Sequence, residues 1–460
     1  MNVKSKMKFV AASVLIAGMS INSVMAAQTL FTNVNVFNGT EDKIYSDLNV
    51  LVDGNKITVI SAKDISVKDD AMIIDGTGKT LMPGLMDTHV HPNMLIEGGL
   101  LAIESARWDE IGAVAAGNTQ EWLYEGFTTI RGMGATPNGL KKTIDKGIID
   151  GPRIYPSGSY ISQTSGHADI VMASMQENPE NSNLVKLGLT QLADGEDEIR
   201  KAVRRNFAVG ASQIKLMIGG GISSLKGPLF AAQFTDAEIT AAVEEAAARD
   251  TYVAVHVYQD KHVQRAIRLG VKSIEHGQFI SEETARMGKE AGVFFQGNLA
   301  GMSPALLEHP VYGGNPIVRA KVEEFIEDSK NYTNIIRKVQ PNMAFTADLV
   351  NESGVNARRH RDHEKWVWSK EYGNFIALKS MTSSAGELVA MSGGSNPYPG
   401  KLGVVEVGAL ADLLLVDGNP LEDISVIGGN EKWFAAPARD KGIKTLKVIM
   451  KDGKIYKNTL

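Results

Sequence analysis

The sequence contains no cysteine. That absence excludes disulfides, thiolate-bound zinc, a cysteine nucleophile and a lipid-modified N-terminal cysteine. Basic tracts are missing as well. The net charge is −5, so nothing in the composition points to nucleic acid. No glycine-rich phosphate fingerprint follows the first strand of the α/β region, which argues against a dinucleotide-binding sheet. Internal repeats and low-complexity linkers are also absent.

What remains is an ordinary globular composition, 460 residues with 43% hydrophobic and 22% charged side chains, enough for one large domain or two smaller ones. Lys4, Lys6 and Lys8 precede an apolar stretch over 9–19 that is too short to span a bilayer. Val24-Met25-Ala26 then offers small residues to a signal peptidase. Residues 1–26 read as a signal peptide, with export to a bacterial periplasm and no membrane association after cleavage. A short uncut anchor is the alternative.

Residues 28–80 read as β, with turns at Asn38-Gly39 and Asp53-Gly54. From 81 to about 395 the rhythm is strand, loop, helix. Apolar strands are expected near Leu81, Thr128, Arg153, Gln213, Tyr252, Ser273, Val293 and Asn342. Such a series predicts an α/β fold, a (β/α)8 TIM barrel, with an open doubly wound sheet as the alternative. Residues 400–460 return to β. They resemble the N-terminal segment in texture, so the two chain ends are expected to form one small β-sandwich domain.

Barrel active sites lie at the C-terminal ends of the strands. The first strand ends in His89-x-His91, and side chains two apart on a strand point the same way. The pair can hold one metal ion from a single rigid element. Lys215, His256, His276 and Asp348 fall at or near the ends of later strands. Singly, each has a bland reading: a solvated lysine, a core histidine, a partner for Glu275, a helix cap. Together they form a donor set of imidazoles and carboxylate that suits zinc, manganese or cobalt better than calcium or magnesium. A lysine ammonium is a poor ligand, but its carbamate is a carboxylate able to bridge two ions.

The chain resembles the amidohydrolase superfamily, and within it the imidazolonepropionase-like and metal-dependent prolidase/carboxypeptidase branch. Pro83-Gly-Leu-Met-Asp-Thr-His-Val-His91, Ser273-Ile-Glu-His276 and Gly408-Ala-Leu-Ala-Asp-Leu-Leu-Leu-Val-Asp-Gly-Asn-Pro420 carry the resemblance. It implies two divalent ions, most simply zinc. His89 and His91 would bind the more buried ion, His256 and His276 the more exposed one. Lys215, N6-carboxylated, would bridge both, and Asp348 would bind the buried ion and shuttle protons. The split β domain is also implied. His167, within Ser162-Gln-Thr-Ser-Gly-His-Ala-Asp169, and Tyr258 resemble a histidine and tyrosine that hold a substrate α-carboxylate in that branch.

Departures from the pattern are Ala347 before Asp348, Gly132 after Arg131, and the run Arg358-Arg-His-Arg-Asp-His-Glu364. His360 and His363 in that run read as a solvated charged face. The expected activity is hydrolysis of an amide bond in dipeptides or N-acyl amino acids with a free C-terminal carboxylate. A metal-bridged hydroxide would attack, and Asp348 would carry the proton to the leaving nitrogen. Cyclic amides, lactones, aryl esters or phosphotriesters are rival substrates, and a non-catalytic periplasmic binding protein is a further rival. A homo-oligomer is compatible with the sequence.

Overall fold

The computed structural model describes residues 28–460 except 137, 225 and 351. The signal-peptide reading of 1–26 lies outside the described residues. Among them, no helix is long and apolar enough to cross a membrane.

The N-terminal strands are β1 (Thr29–Phe37), β2 (Ile44–Asp53), β3 (Lys56–Ser61), β4 (Met72–Asp75) and β5 (Thr80–Pro83). The α/β region contributes β6 (Leu85–Val90), β7 (Phe127–Gly132), β8 (Arg153–Tyr155), β9 (Tyr160–Ser162), β10 (Thr190–Leu192), β11 (Ile214–Met217), β12 (Val253–Gln259), β13 (Ser273–Phe279), β14 (Phe294–Gln296) and β15 (Asn342–Met343). The C-terminal strands are β16 (Leu413–Val416), β17 (Leu446–Lys451) and β18 (Lys454–Asn458).

Both chain ends share one eight-stranded mixed sheet, in the order β18-β17-β16-β5-β1-β2-β3 with β4 also on β1. Leu81, Leu413 and Leu415 bury their side chains in its apolar cluster with Phe31, Val50 and Met450. The expected strand at Leu81 therefore divides. Thr80–Pro83 pairs with β16 in this sheet, and the first strand of the α/β region starts only at Leu85. Gly84 sits at the junction, where a Cβ would meet the Thr128 hydroxyl at 2.1 Å.

The strand ladders of the α/β region are all parallel. They are β6-β7-β8 and β10-β9-β11-β12-β13-β14-β15. β6, β7, β11 and β12 are buried along nearly their whole length, which is why they read as continuous apolar runs rather than alternation. Single bonds span the gaps between ladders. Ser212 N–H donates to Pro156 O at 2.7 Å on one side. On the other, Thr88 N–H donates to Phe345 O at 3.0 Å and Asp348 N–H to His89 O at 3.2 Å. The helices between strands follow their start signals: Asp236–Ala247 opens on a capping box made by Thr235 and Glu238, and Asp260–Arg268 begins at Asp260.

Candidate active site

Strand-end geometry assembles the site. His89 and His91 leave the end of β6 with ring centroids 5.0 Å apart. Lys215 lies within β11, His256 within β12 and His276 within β13. Asp348 lies five residues past the end of β15, beyond the ladder. Its left-handed backbone (φ 48°) and that of His276 (φ 78°) turn both residues off the strand direction, a local strain typical of functional positions. All of these side chains, with His167 and Tyr258, line one cavity of about 100 Å³.

The His89, His91 and Asp348 donor atoms lie within 4.8 Å of one another. Asp348 Oδ1 stands 3.3 Å from His89 Nε2 and 3.2 Å from His91 Nε2, and its Oδ2 is 3.7 Å from His276 Nδ1. His276 and His256 rings approach to 4.4 Å. Burial opposes ionisation of the Asp348 carboxyl, but the surrounding imidazoles outweigh it and hold the group well below the usual carboxylate range.

The arrangement fits divalent cations. Burial pushes His89 down to about 3 and holds His256 and His276 below their ordinary values. Neutral imidazole is the ligating form. His256 Nε2 faces Gly220 O at 3.0 Å, leaving Nδ1 for a ligand. Lys215 is fully buried, and its Nζ finds no hydrogen-bond partner among the described residues. Desolvation lowers its amine to about 8. A buried amine without a partner is costly unless something completes it.

Supporting contacts fix the ligand rings, and sequence reasoning missed most of them. Glu275 is not a mere partner for its neighbour His276, the bland reading of that pair: its Oε2 lies 2.8 Å from His89 Nδ1. Arg131 Nη2 also donates to both oxygens of the Glu275 carboxylate, at 2.8 and 3.0 Å. Arg131 Nε donates to Thr88 O at 2.6 Å, tying β7 to β6. The Tyr160 hydroxyl lies 2.8 Å from His91 Nδ1, and its ring occupies space that a Cβ on Gly134 would fill at 2.1 Å. His276 Nδ1 is 3.3 Å from Asn298 Oδ1. An oriented imidazole is a better ligand, and such partners set that orientation.

His167 reaches the cavity from the loop after β9. Its N–H donates to Gln233 Oε1 at 2.9 Å, and Asp169 steadies the loop through Ser165 N–H and Lys226. The ring lies tilted, 4.2 Å from the His256 ring, and against Gly221, where a Cβ would collide with it at 2.0 Å. Its Nδ1 is buried without a partner among the described residues. The Tyr258 ring meets the His256 ring edge-on at 4.9 Å.

His360 and His363 are not a solvated face. Both are buried, on the helix Gly354–Tyr372. Their charged neighbours find opposite charges far away in sequence: Arg358 with Glu121, Arg361 with Glu125, and Asp362 with Arg439. His360 lines the cavity itself. No pattern around it announces that role.

The Amidohydrolase family description matches residues 80–357. Ochratoxinase from Aspergillus niger is 30% identical over 395 residues, covering 82% of this chain and 75% of that protein. A prolidase complexed with N-methylphosphonate-L-proline superposes with a TM-score of 0.80 at 31% identity, covering 94% of this chain and 100% of the other. A Xaa-Pro dipeptidase with methionine bound in the active site gives 0.76 at 28% identity, with the same coverage. Sequence, architecture and donor set agree, and the chain belongs to the amidohydrolase family.

Proposed function

We propose that this hydrolase cleaves the amide bond of N-acyl amino acids or dipeptides bearing a free C-terminal carboxylate, on a binuclear centre in a closed (β/α)8 barrel. The two bonds from β6 to the 345–348 segment support closure, and the eight-stranded sheet around its own apolar cluster is read as the small sandwich. The observation that carries the substrate reading is the pair His167 and Tyr258, which flank His256 in the same cavity as the donor set. An imidazole and a phenol are suitable hydrogen-bond donors to an anion. Two structural neighbours hold amino-acid ligands, a proline phosphonate and methionine, which supports the same substrate class.

His89, His91 and Asp348 would hold one ion, His256 and His276 another, and Lys215 as its N6-carboxylate would join them. When bound, zinc or a similar ion supplies Lewis-acid activation of water and of the scissile carbonyl. The chain's own groups do the rest. His167 and Tyr258 fix the carboxylate, so that the amide meets the attacking water in one orientation. Asp348 takes a proton from that water at a carboxylate oxygen and returns it to the leaving nitrogen. The apolar walls, Met94, Ile222, Leu306 and Phe325, exclude bulk water.

Amino-acid release from N-acyl amino acids and dipeptides, with C-terminally amidated and lactone controls, tests the reading. Release that requires the free carboxylate is expected. Turnover of the amidated or lactone controls alone would discard it. His167→Ala should raise KM for carboxylate substrates about 10- to 100-fold, the worth of one hydrogen bond to a charged group; an unchanged KM would remove His167 from the grip. Lys215→Ala should lower the metal retained after gel filtration, measured by elemental analysis. A carbamate ¹³C resonance after incubation with labelled bicarbonate should appear in the unaltered protein and vanish in that variant.

A further inference from the structure

Glu352, His309 and His360 form a buried ionic cluster that the reaction just described does not use. Glu352 Oε1 lies 2.9 Å from His309 Nε2, and its Oε2 lies 3.1 Å from His360 Nδ1. All three residues are buried, among Leu306, Tyr312 and Trp433. Trp433 packs edge-on against the His360 ring at 4.8 Å. In so apolar a wall, a buried ionic cluster is weak as a stability device, because apolar residues of similar volume serve as well. His360 is moreover left incomplete. Its Nδ1 is taken by Glu352, while Nε2 on the opposite side of the ring is buried with no partner among the described residues. His360 lines the cavity that holds the donor set.

Strand order places His360 relative to the carboxylate grip. His167 and Tyr258 belong to the loop after β9 and to β12. His360 follows β15, which in strand order lies on the far side of the donor set, next to β6. Leu306, Tyr312 and Val350, from the segments that follow β14 and β15, line the same cavity. On the amino-acid reading, a substrate held by its carboxylate at His167 and Tyr258 would extend its acyl group across the centre toward His360. We propose that the Glu352–His360 pair is the acyl-side specificity element, with the Nε2–H of His360 meeting an anionic oxygen on the acyl group of an N-acyl amino acid.

This inference rests on the amino-acid reading above and narrows it to acyl groups that carry an acid. The charge state agrees. Burial opposes the His360 imidazolium, but Glu352 outweighs it and raises the group above its ordinary value. Burial likewise opposes ionisation of Glu352, yet the two histidines hold it down at about 2. Glu352 can therefore support a protonated His360 that donates through Nε2.

The test compares N-succinyl and N-pentanoyl derivatives of one amino acid, which are similar in length and differ in the terminal carboxylate. The metal-loaded enzyme should prefer the succinyl compound in kcat/KM by about tenfold or more, with KM carrying most of the difference. In His360→Ala that preference should collapse toward unity, and His360→Gln, which restores a neutral donor, should recover part of it. Equal turnover of both compounds by the unaltered enzyme overturns the proposal without any variant and leaves the amino-acid reading standing. Turnover of neither, beside turnover of a lactone, overturns both. A preference that persists in a folded His360→Ala protein, judged by its melting temperature, assigns the recognition elsewhere and overturns the proposal.

Discussion

Asp348→Asn should lower kcat by about 100- to 10,000-fold, the range spanned by a positioned general acid–base group, while leaving most of the metal bound. The substitution isolates the proton from the other duties of this residue. Asparagine keeps the shape and one carbonyl oxygen for the contacts with His89 and His91. It also tolerates the left-handed backbone at φ 48°, which most side chains resist. What it lacks is an oxygen able to accept a proton from the attacking water and surrender it to the leaving nitrogen. Asp348→Ala loses ligand, proton site and backbone compatibility together, so it should lose metal as well as turnover. Elemental analysis beside steady-state kinetics separates the two variants. Near-normal kcat in Asp348→Asn at full metal content would remove the proton-shuttle role and leave Asp348 as a ligand only.

Residues whose identity and strand position both carry information were legible before any coordinates. His89-x-His91 needs only the period of a strand to face both rings one way, and Lys215, His256 and His276 needed only the rule that such sites gather at strand ends. Asp348 was legible by type but not by position. Its ladder stops at Met343, and the chain reaches the site through an irregular stretch held by bonds to β6. The part played by Glu275 was not legible, because it adjoins His276 in sequence whereas neighbours on a strand face opposite ways. It turns into the interior, where it meets Arg131 and His89. The run Arg358-Arg-His-Arg-Asp-His-Glu364 misled for a different reason. Local charge density usually means solvent, but here the opposing charges stand on the helix Trp108–Tyr124, at Glu125 just past its end and on the C-terminal segment. Burial arises from partners more than 200 residues away for Arg358 and Arg361, and no local period encodes that.

That buried charge network yields the largest expected effect on stability. Glu125 is fully buried at the end of the helix Trp108–Tyr124. Its carboxylate receives Arg361 Nε at 2.6 Å and Nη2 at 2.8 Å, and Arg439 lies 3.1 Å away. Arg361 is also buried, with its guanidinium 4.9 Å from the Trp122 ring. The pair joins the helix after β6 to the helix after the 344–350 stretch, at the seam where β6 bonds to Phe345 and Asp348. Removing one partner strands the other charge in low dielectric, so Glu125→Gln should destabilise the protein by about 3–5 kcal/mol at neutral pH. The pH dependence identifies the cause. Burial would raise the Glu125 carboxyl, but Arg361, Arg439 and Lys365 outweigh it and hold the group well below its ordinary value of 4.5. A carboxyl depressed on folding stabilises the native state fully above its unfolded value, and that contribution drains away as pH falls through the folded one. The gap between the unaltered protein and Glu125→Gln should therefore be widest above about pH 5 and narrow steadily below it. Urea denaturation at a series of pH values reads this directly. A gap that stays constant through the acid range would mean that the substitution acts through packing, and that the Glu125–Arg361 charge pair contributes nothing of its own to the seam.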